Sequence, residues 1–192
     1  MTDPSDASTM RDEEIRAATV GEVRRHDGPI RLVDSDPAWP ALFRREEERI
    51  AAALGDRALR LEHVGSTAVP GLAAKPVIDV VLVVPDSSDE SSYVPQLESV
   101  GYVLRIREPS WHQHRLLRGP DTDVNLHVFS EGCPEIDRMI RFRDHLRSRA
   151  ADKELYERAK RDLAKLEWTY VQHYADAKTA VIEEIMGRAT RA

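Results

Sequence analysis

A chain of 192 residues with 41% hydrophobic content is long enough to bury the core of one domain, and a formal charge of −6 argues against coating nucleic acid or an anionic membrane through a broad basic surface. Cys133 is the single cysteine, so neither an internal disulfide nor a cysteine-rich zinc site forms within one chain. No apolar run approaches the length of a membrane span, and the expected location is the cytoplasm.

Met1 to Thr9 is polar and reads as a disordered tail, followed by a short helix over Arg11 to Val23 on weakly spaced Ile15, Ala18 and Val23. With the break at His26-Asp27-Gly28-Pro29 they make an N-terminal segment, 1–28, ahead of a single domain over 29–192. Ile30 to Val33 is expected to be a short strand. Asp36-Pro37-Ala38-Trp39-Pro40 then leads into a helix over Ala41 to Leu54, whose apolar face carries Leu42, Phe43, Ile50, Ala53 and Leu54. Its Arg44, Arg45 and Arg49 flank Glu46, Glu47 and Glu48, the pattern of a solvated, loosely ion-paired surface.

Leu59 to Val64 alternates like a strand with unequal faces, whereas Val77 to Val84 is almost continuously apolar, like a strand covered on both sides. A helix over Ser91 to Val100, stopped by Gly101, leads to a strand over Tyr102 to Ile106. Trp111 to Arg118 and Val124 to Phe129 read as a hairpin across the turn Gly119-Pro120-Asp121-Thr122-Asp123. Three helices close the chain: Pro134 to Arg149, Asp152 to Trp168 and Tyr174 to Ala189. This order predicts an α/β (α+β) fold, a mixed β-sheet flanked by helices with a C-terminal helical cover.

One residue conflicts with its surroundings. Asp79 interrupts the apolar run Val77 to Val84, and an ionised carboxylate there requires a cation, a hydrogen-bond donor or a place at the open end of the sheet. Upstream, Gly65, Ser66 and Thr67 offer a backbone that a ligand can approach closely and hydroxyls suited to phosphate oxygens, and Lys75 adds a compact positive charge. A Gly-Ser pair, twelve intervening residues and an acid inside an apolar strand match the pattern of nucleotidyltransferase-fold enzymes.

The longer run Glu62-His63-Val64-Gly65-Ser66-Thr67-Ala68-Val69-Pro70-Gly71-Leu72-Ala73-Ala74-Lys75-Pro76-Val77-Ile78-Asp79 resembles the signature of the GrpB family, a group within the nucleotidyltransferase superfamily. The resemblance extends through Trp111-His112-Gln113-His114-Arg115, Val124-Asn125-Leu126-His127-Val128-Phe129 and Tyr174-Ala175-Asp176-Ala177-Lys178. It implies a nucleotidyltransferase-like fold, a nucleoside triphosphate as substrate with Mg²⁺ as the expected cofactor, the Gly-Ser pair on the phosphates and Asp79 on the metal. Domains of this kind are in some bacteria fused to dephospho-CoA kinase, which points towards nucleotide or coenzyme A chemistry. Active members of the superfamily usually carry a second acid two places along the same strand, and this chain has Val81 there.

His127 is the preferred replacement for that acid as a metal ligand, with Asp123 in reserve. His112 and His114, two apart on a presumed strand, are expected to project together beside His127, and His112 or His127 is the candidate base, alongside Asp79 in the catalytic set. Arg115 ranks first among Arg105, Arg107, Arg115 and Arg118 as a partner for polyphosphate. Lys178 either reaches the pocket as a phosphate contact or tethers its helix to the sheet. Three readings stay open: nucleotidyl transfer to a small acceptor; non-catalytic binding of a nucleotide, coenzyme A precursor or other phosphorylated metabolite; and altered, His-assisted chemistry on an anionic substrate.

Overall fold

A computed structural model describes residues 10–26 and 29–189, so the polar tail read over 1–9 and part of the break at 26–29 lie outside the described residues. Five strands form one sheet: β1 (Arg60–Val64), β2 (Ile78–Val84), β3 (Val103–Glu108), β4 (His114–Arg118) and β5 (Val124–Ser130). Their order is β1-β2-β5-β4-β3, with β2 and β5 parallel and every other pair antiparallel, so the sheet is mixed. The helices are α1 (Asp12–Ala18), α2 (Trp39–Leu54), α3 (Val94–Ser99), α4 (Pro134–Ser148), α5 (Ala150–Leu163), α6 (Val171–Ala177) and α7 (Thr179–Ala189).

The apolar run of β2 is explained by two coverings. Val80, Leu82 and Val84 join Val124, Leu126 and Val128 of β5 in a core closed by Ile50 and Leu54 of α2 and Leu97 of α3. On the other face Val81 and Val83 pack with Val64, Phe129 and Ile136 of α4. A third cluster, Val69, Leu72, Leu146, Tyr156 and Ile185, clamps the β1–β2 connection beneath α4, α5 and α7. Among the described residues no helix is long and apolar enough to cross a membrane.

Several elements differ from their expected extents, each for a visible reason. The strand expected at Ile30 to Val33 reduces to one bridge, Val33 with Ala74, held by backbone bonds of 2.8 and 2.9 Å. The helix expected to reach Val23 ends at Ala18, because Thr19 bridges Ile106 and the Val20 amide donates to the Arg105 carbonyl at the sheet edge. The second of the closing helices ends at Leu163, where the Trp168 indole donates to the Leu163 carbonyl at 2.9 Å. The last is split at Lys178 into α6 and α7.

The strand expected over Trp111 to Arg118 begins only at His114. Trp111 to Gln113 form a turn in which His112 and Gln113 take φ of 54° and 53°, the left-handed region that side chains rarely enter. Glu46, read as part of a solvated face, is fully buried. It accepts a 2.7 Å bond from the Tyr102 hydroxyl and pairs with Arg45 at 3.2 Å, so the charge is neutralised where it is buried.

Two stability predictions follow from these contacts. Tyr102→Phe deletes the hydroxyl donor to Glu46 and is expected to cost about 1–3 kcal/mol in urea unfolding; an unchanged midpoint would mean that Arg45 and Arg49 alone satisfy the carboxylate. His63 of β1 is 8% exposed, stacked at 4.8 Å on Phe43 of α2, with Nε2 3.0 Å from the Thr67 hydroxyl. Burial, opposed by Asp79 and reinforced by Arg147 and Arg143, pushes its pKa from 6.5 down to about 4. The unfolded chain therefore binds this proton first: the contribution is complete above pH 6.5 and is lost as pH falls towards 4, on the order of 3 kcal/mol. Urea midpoints measured across that window should fall for the natural sequence and flatten for His63→Gln.

Candidate functional site

The β1–β2 connection is shaped around Asp79. Gly65 ends β1 with φ 69° and ψ −171°, a conformation that suits glycine alone, and a Cβ placed there would stand 3.0 Å from the Asp79 Cβ and closer still to its carboxylate. The loop backbone thus lies directly against the acid. Thr67, 4% exposed, donates its hydroxyl to the Val77 carbonyl at 3.1 Å and fastens the loop across its own base.

Asp79 opposes Val64 on β1 and Asn125 on β5, near the start of β2. Its Oδ1 accepts a 2.7 Å bond from the Asn125 amide, and His127 Nε2 stands 3.7 Å from the same oxygen. The side chain keeps 27% of its surface exposed. Burial pushes the carboxyl pKa up, but His127, Asn125 and the charge of Lys178 together outweigh it and hold the group below its ordinary value.

Asp79 lies on the floor of a cavity of about 740 Å³, walled by the Ser66 loop, by α5 and α6, and by the segment from Ile15 to His26. Three lysines line it. Lys160 of α5 is 2% exposed, with Nζ 3.0 Å from the Ser66 hydroxyl, donating to the Ala73 carbonyl and 4.9 Å above the Tyr156 ring. Burial and the nearby Lys178 push its pKa down to about 7. Burial and Lys178 likewise lower Lys75, and burial lowers Lys178, whose Nζ sits 5.0 Å over the Tyr174 ring. Arg118 and Asp123, paired at 3.4 Å, also line the cavity. The cations outnumber the acids, and each lysine raises the electrostatic cost of charging another. A bound polyanion reverses that sign.

Ser66, Thr67, Lys75, Asp79, His127 and Lys178 therefore meet in one cavity with Gly65 beneath the acid. Arg115 and His112 do not join them. Alternation along β4 sets Arg115 opposite Val128, on the sheet face covered by α2 and α3, where it pairs with Glu90 at 2.6 Å. His112 is exposed in its left-handed turn, so it does not project together with His114. His114 is 3% exposed and sits behind His127, one layer from the cavity. Lys160 lies outside the motifs of the sequence analysis, whereas Asn125 and Tyr174 stand within them without an assigned role. The available signal for Lys160 was its place four residues beyond Tyr156 on the buried stripe of α5.

Among the described residues no three His, Cys, Asp or Glu side chains converge as a metal cage. The donors beside Asp79 are one imidazole and one amide, the amide already donating to it. A two-metal centre held by protein carboxylates does not fit this set. A single Mg²⁺ that arrives with a ligand does, since that ion is commonly held by one or two carboxylates with phosphate oxygens and water supplying the rest.

Comparison with known proteins agrees with this architecture. The family model described as GrpB protein matches residues 29–188. A UPF0157 protein of Halalkalibacterium halodurans is 59% identical over 189 residues, covering 98% of this chain and 97% of the relative. A dephospho-CoA kinase of Mycolicibacterium paratuberculosis is 47% identical over 77 residues, 38% of this chain and 19% of that protein. The crystal structure of conserved protein GrpB from Enterococcus faecalis superposes with a TM-score of 0.74 at 29% identity, covering 84% of this chain and 98% of that one. From its signature loop to its C-terminal helices, the chain belongs to the GrpB family.

Proposed function

We propose that the cavity over Asp79 binds a nucleoside triphosphate together with Mg²⁺ and that the protein transfers the nucleotidyl group to a small acceptor. The observation that carries this reading is the convergence of Lys75, Lys160, Lys178 and the Ser66 loop around the Asp79 carboxylate. Cationic side chains fixed in a partly dehydrated cavity favour a ligand with several negative charges, and the Gly65-Ser66 turn beside Lys160 suits a terminal phosphate. Asp79 supplies the protein's carboxylate to the Mg²⁺, which would neutralise charge on the phosphate chain. His127, beside it, is the acceptor's base, and Arg115, Arg107 and His112 take no part.

A second reading, binding without transfer, is favoured by Val81. That residue shares a face with Asp79 at the place of the missing acid, and it is fully buried against Val64, Phe129 and Ile136. A carboxylate there would be stranded in an apolar cluster, so the strand is built for one acid only.

Calorimetry with ATP in the presence and absence of Mg²⁺ tests the shared part of both readings. Saturable binding is expected, weakened about tenfold or more by Lys75→Ala or Lys160→Ala, the loss of one charge-assisted contact. Asp79→Asn should remove the dependence on Mg²⁺. Equal affinity across the lysine variants, or no ATP binding at all, would sink the phosphate assignment. Pyrophosphate release with a panel of acceptors then separates transfer from binding alone.

A further inference from the structure

A buried polar side chain normally has a hydrogen-bond partner inside the protein, because water no longer serves it. Among the described residues two buried side-chain atoms have none, the Tyr174 hydroxyl and His26 Nε2. Both residues line the cavity over Asp79. His26 is only half-buried, whereas Tyr174 is 2% exposed. A phenol sealed to that degree cannot turn to bulk water for its partner.

We propose that the Tyr174 hydroxyl is a ligand-binding donor that takes its acceptor from the phosphate chain of the bound ligand. Its place on α6 supports this. Lys178 follows four residues later, one helical turn on, and its Nζ sits 5.0 Å over the Tyr174 ring. Lys178 in turn acts on Lys75 and Lys160, lowering both. The hydroxyl therefore stands among cations, where the acceptor that arrives is an anionic oxygen.

The ring is held where it is. Trp168 meets it in a T-shaped contact at 6.2 Å, and the Trp168 indole is itself tied to the Leu163 carbonyl at 2.9 Å. Swinging the phenol towards another acceptor would break its contacts with both Lys178 and Trp168. Burial, reinforced by Tyr156, pushes its pKa further up from 10, so the group keeps its proton. It is a neutral donor. Each lysine raises the cost of charging another, whereas a phenol adds a hydrogen bond to a phosphate oxygen without adding charge to the cavity.

Resting on the proposed binding of a nucleoside triphosphate, this gives stability and affinity opposite signs at one atom. In the free protein the hydroxyl is a buried group without a bond and weakens the fold; in the complex it gains one. Tyr102 supplies the contrast. It is 1% exposed, and its hydroxyl already donates to Glu46 at 2.7 Å. A buried hydroxyl retained against the stability of the free chain serves the ligand.

Two measurements on Tyr174→Phe in the full chain test this. In urea unfolding of the free protein its midpoint should be unchanged or higher, whereas that of Tyr102→Phe should fall. In calorimetry with Mg²⁺, ATP and inorganic tripolyphosphate should each bind Tyr174→Phe about tenfold more weakly than the natural sequence, the loss of one hydrogen bond to a charged group. A midpoint that falls as for Tyr102→Phe means that the hydroxyl has a partner within the protein, and overturns the proposal. Equal affinity of variant and natural sequence for both probes overturns it too, with the phosphate assignment of the cavity left standing. Weakening with ATP alone moves the contact to the nucleoside and overturns the phosphate contact. Should the natural sequence bind tripolyphosphate but not ATP, the nucleotide reading falls while the contact is still read on the simpler probe; binding of neither removes both.

Discussion

A negative charge set into the middle of a hydrophobic sheet is the constraint around which this protein is arranged. Asp79 cannot be stabilised by its own strand, whose other residues are aliphatic, so its partners come from elsewhere: an amide from β5, an imidazole two residues further on, and lysine charge from the helical side. Gly65 exists to let the chain pass over that carboxylate, and Thr67 ties the passing loop down. The helices α5 to α7 then close the space above it, bringing amines that are themselves costly to bury. The site is an electrostatic exchange between Asp79 and the lysines around it, with cations in excess of acids along the cavity wall.

Much of this was legible because the strongest signals were local. The apolar run of β2, the glycine at the end of β1 and the isolated acid each state a requirement that a single segment reveals. The mixed sheet and its helical cover follow from the order of strands and helices. What was not legible depended on direction and distance. Arg115 sits in a motif rich in site residues, yet the alternation of β4 turns it to the opposite face. His112 lies two residues from His114, but two left-handed residues break the strand on which that spacing would have meant proximity. Lys160 looked like one charge among many on α5, and only packing against Ser66 and Tyr156 distinguishes it.

Glu46 illustrates the same limit on the other side of the sheet. Three arginines flanking three glutamates read as a wet helix surface, and a charge pattern along one helix contains nothing about a tyrosine fifty-six positions away. Long-range partners override local polarity wherever a buried donor is waiting. Glu46 and Asp79 meet different ends: one is fully buried, met by a tyrosine and flanking arginines, and serves the core, while the other keeps part of its surface open to a cavity.

The parallel pairing of β2 with β5 has one more consequence. Along β5, Val124, Leu126 and Val128 belong to the main hydrophobic core while Asn125 and His127 belong to the cavity floor, so the same backbone ladder sets both. A slip of one residue would drive the amide and the imidazole into the aliphatic layer and expose three large side chains. Chemistry and folding are thereby written on alternate letters of one strand, and neither can drift without the other being corrupted.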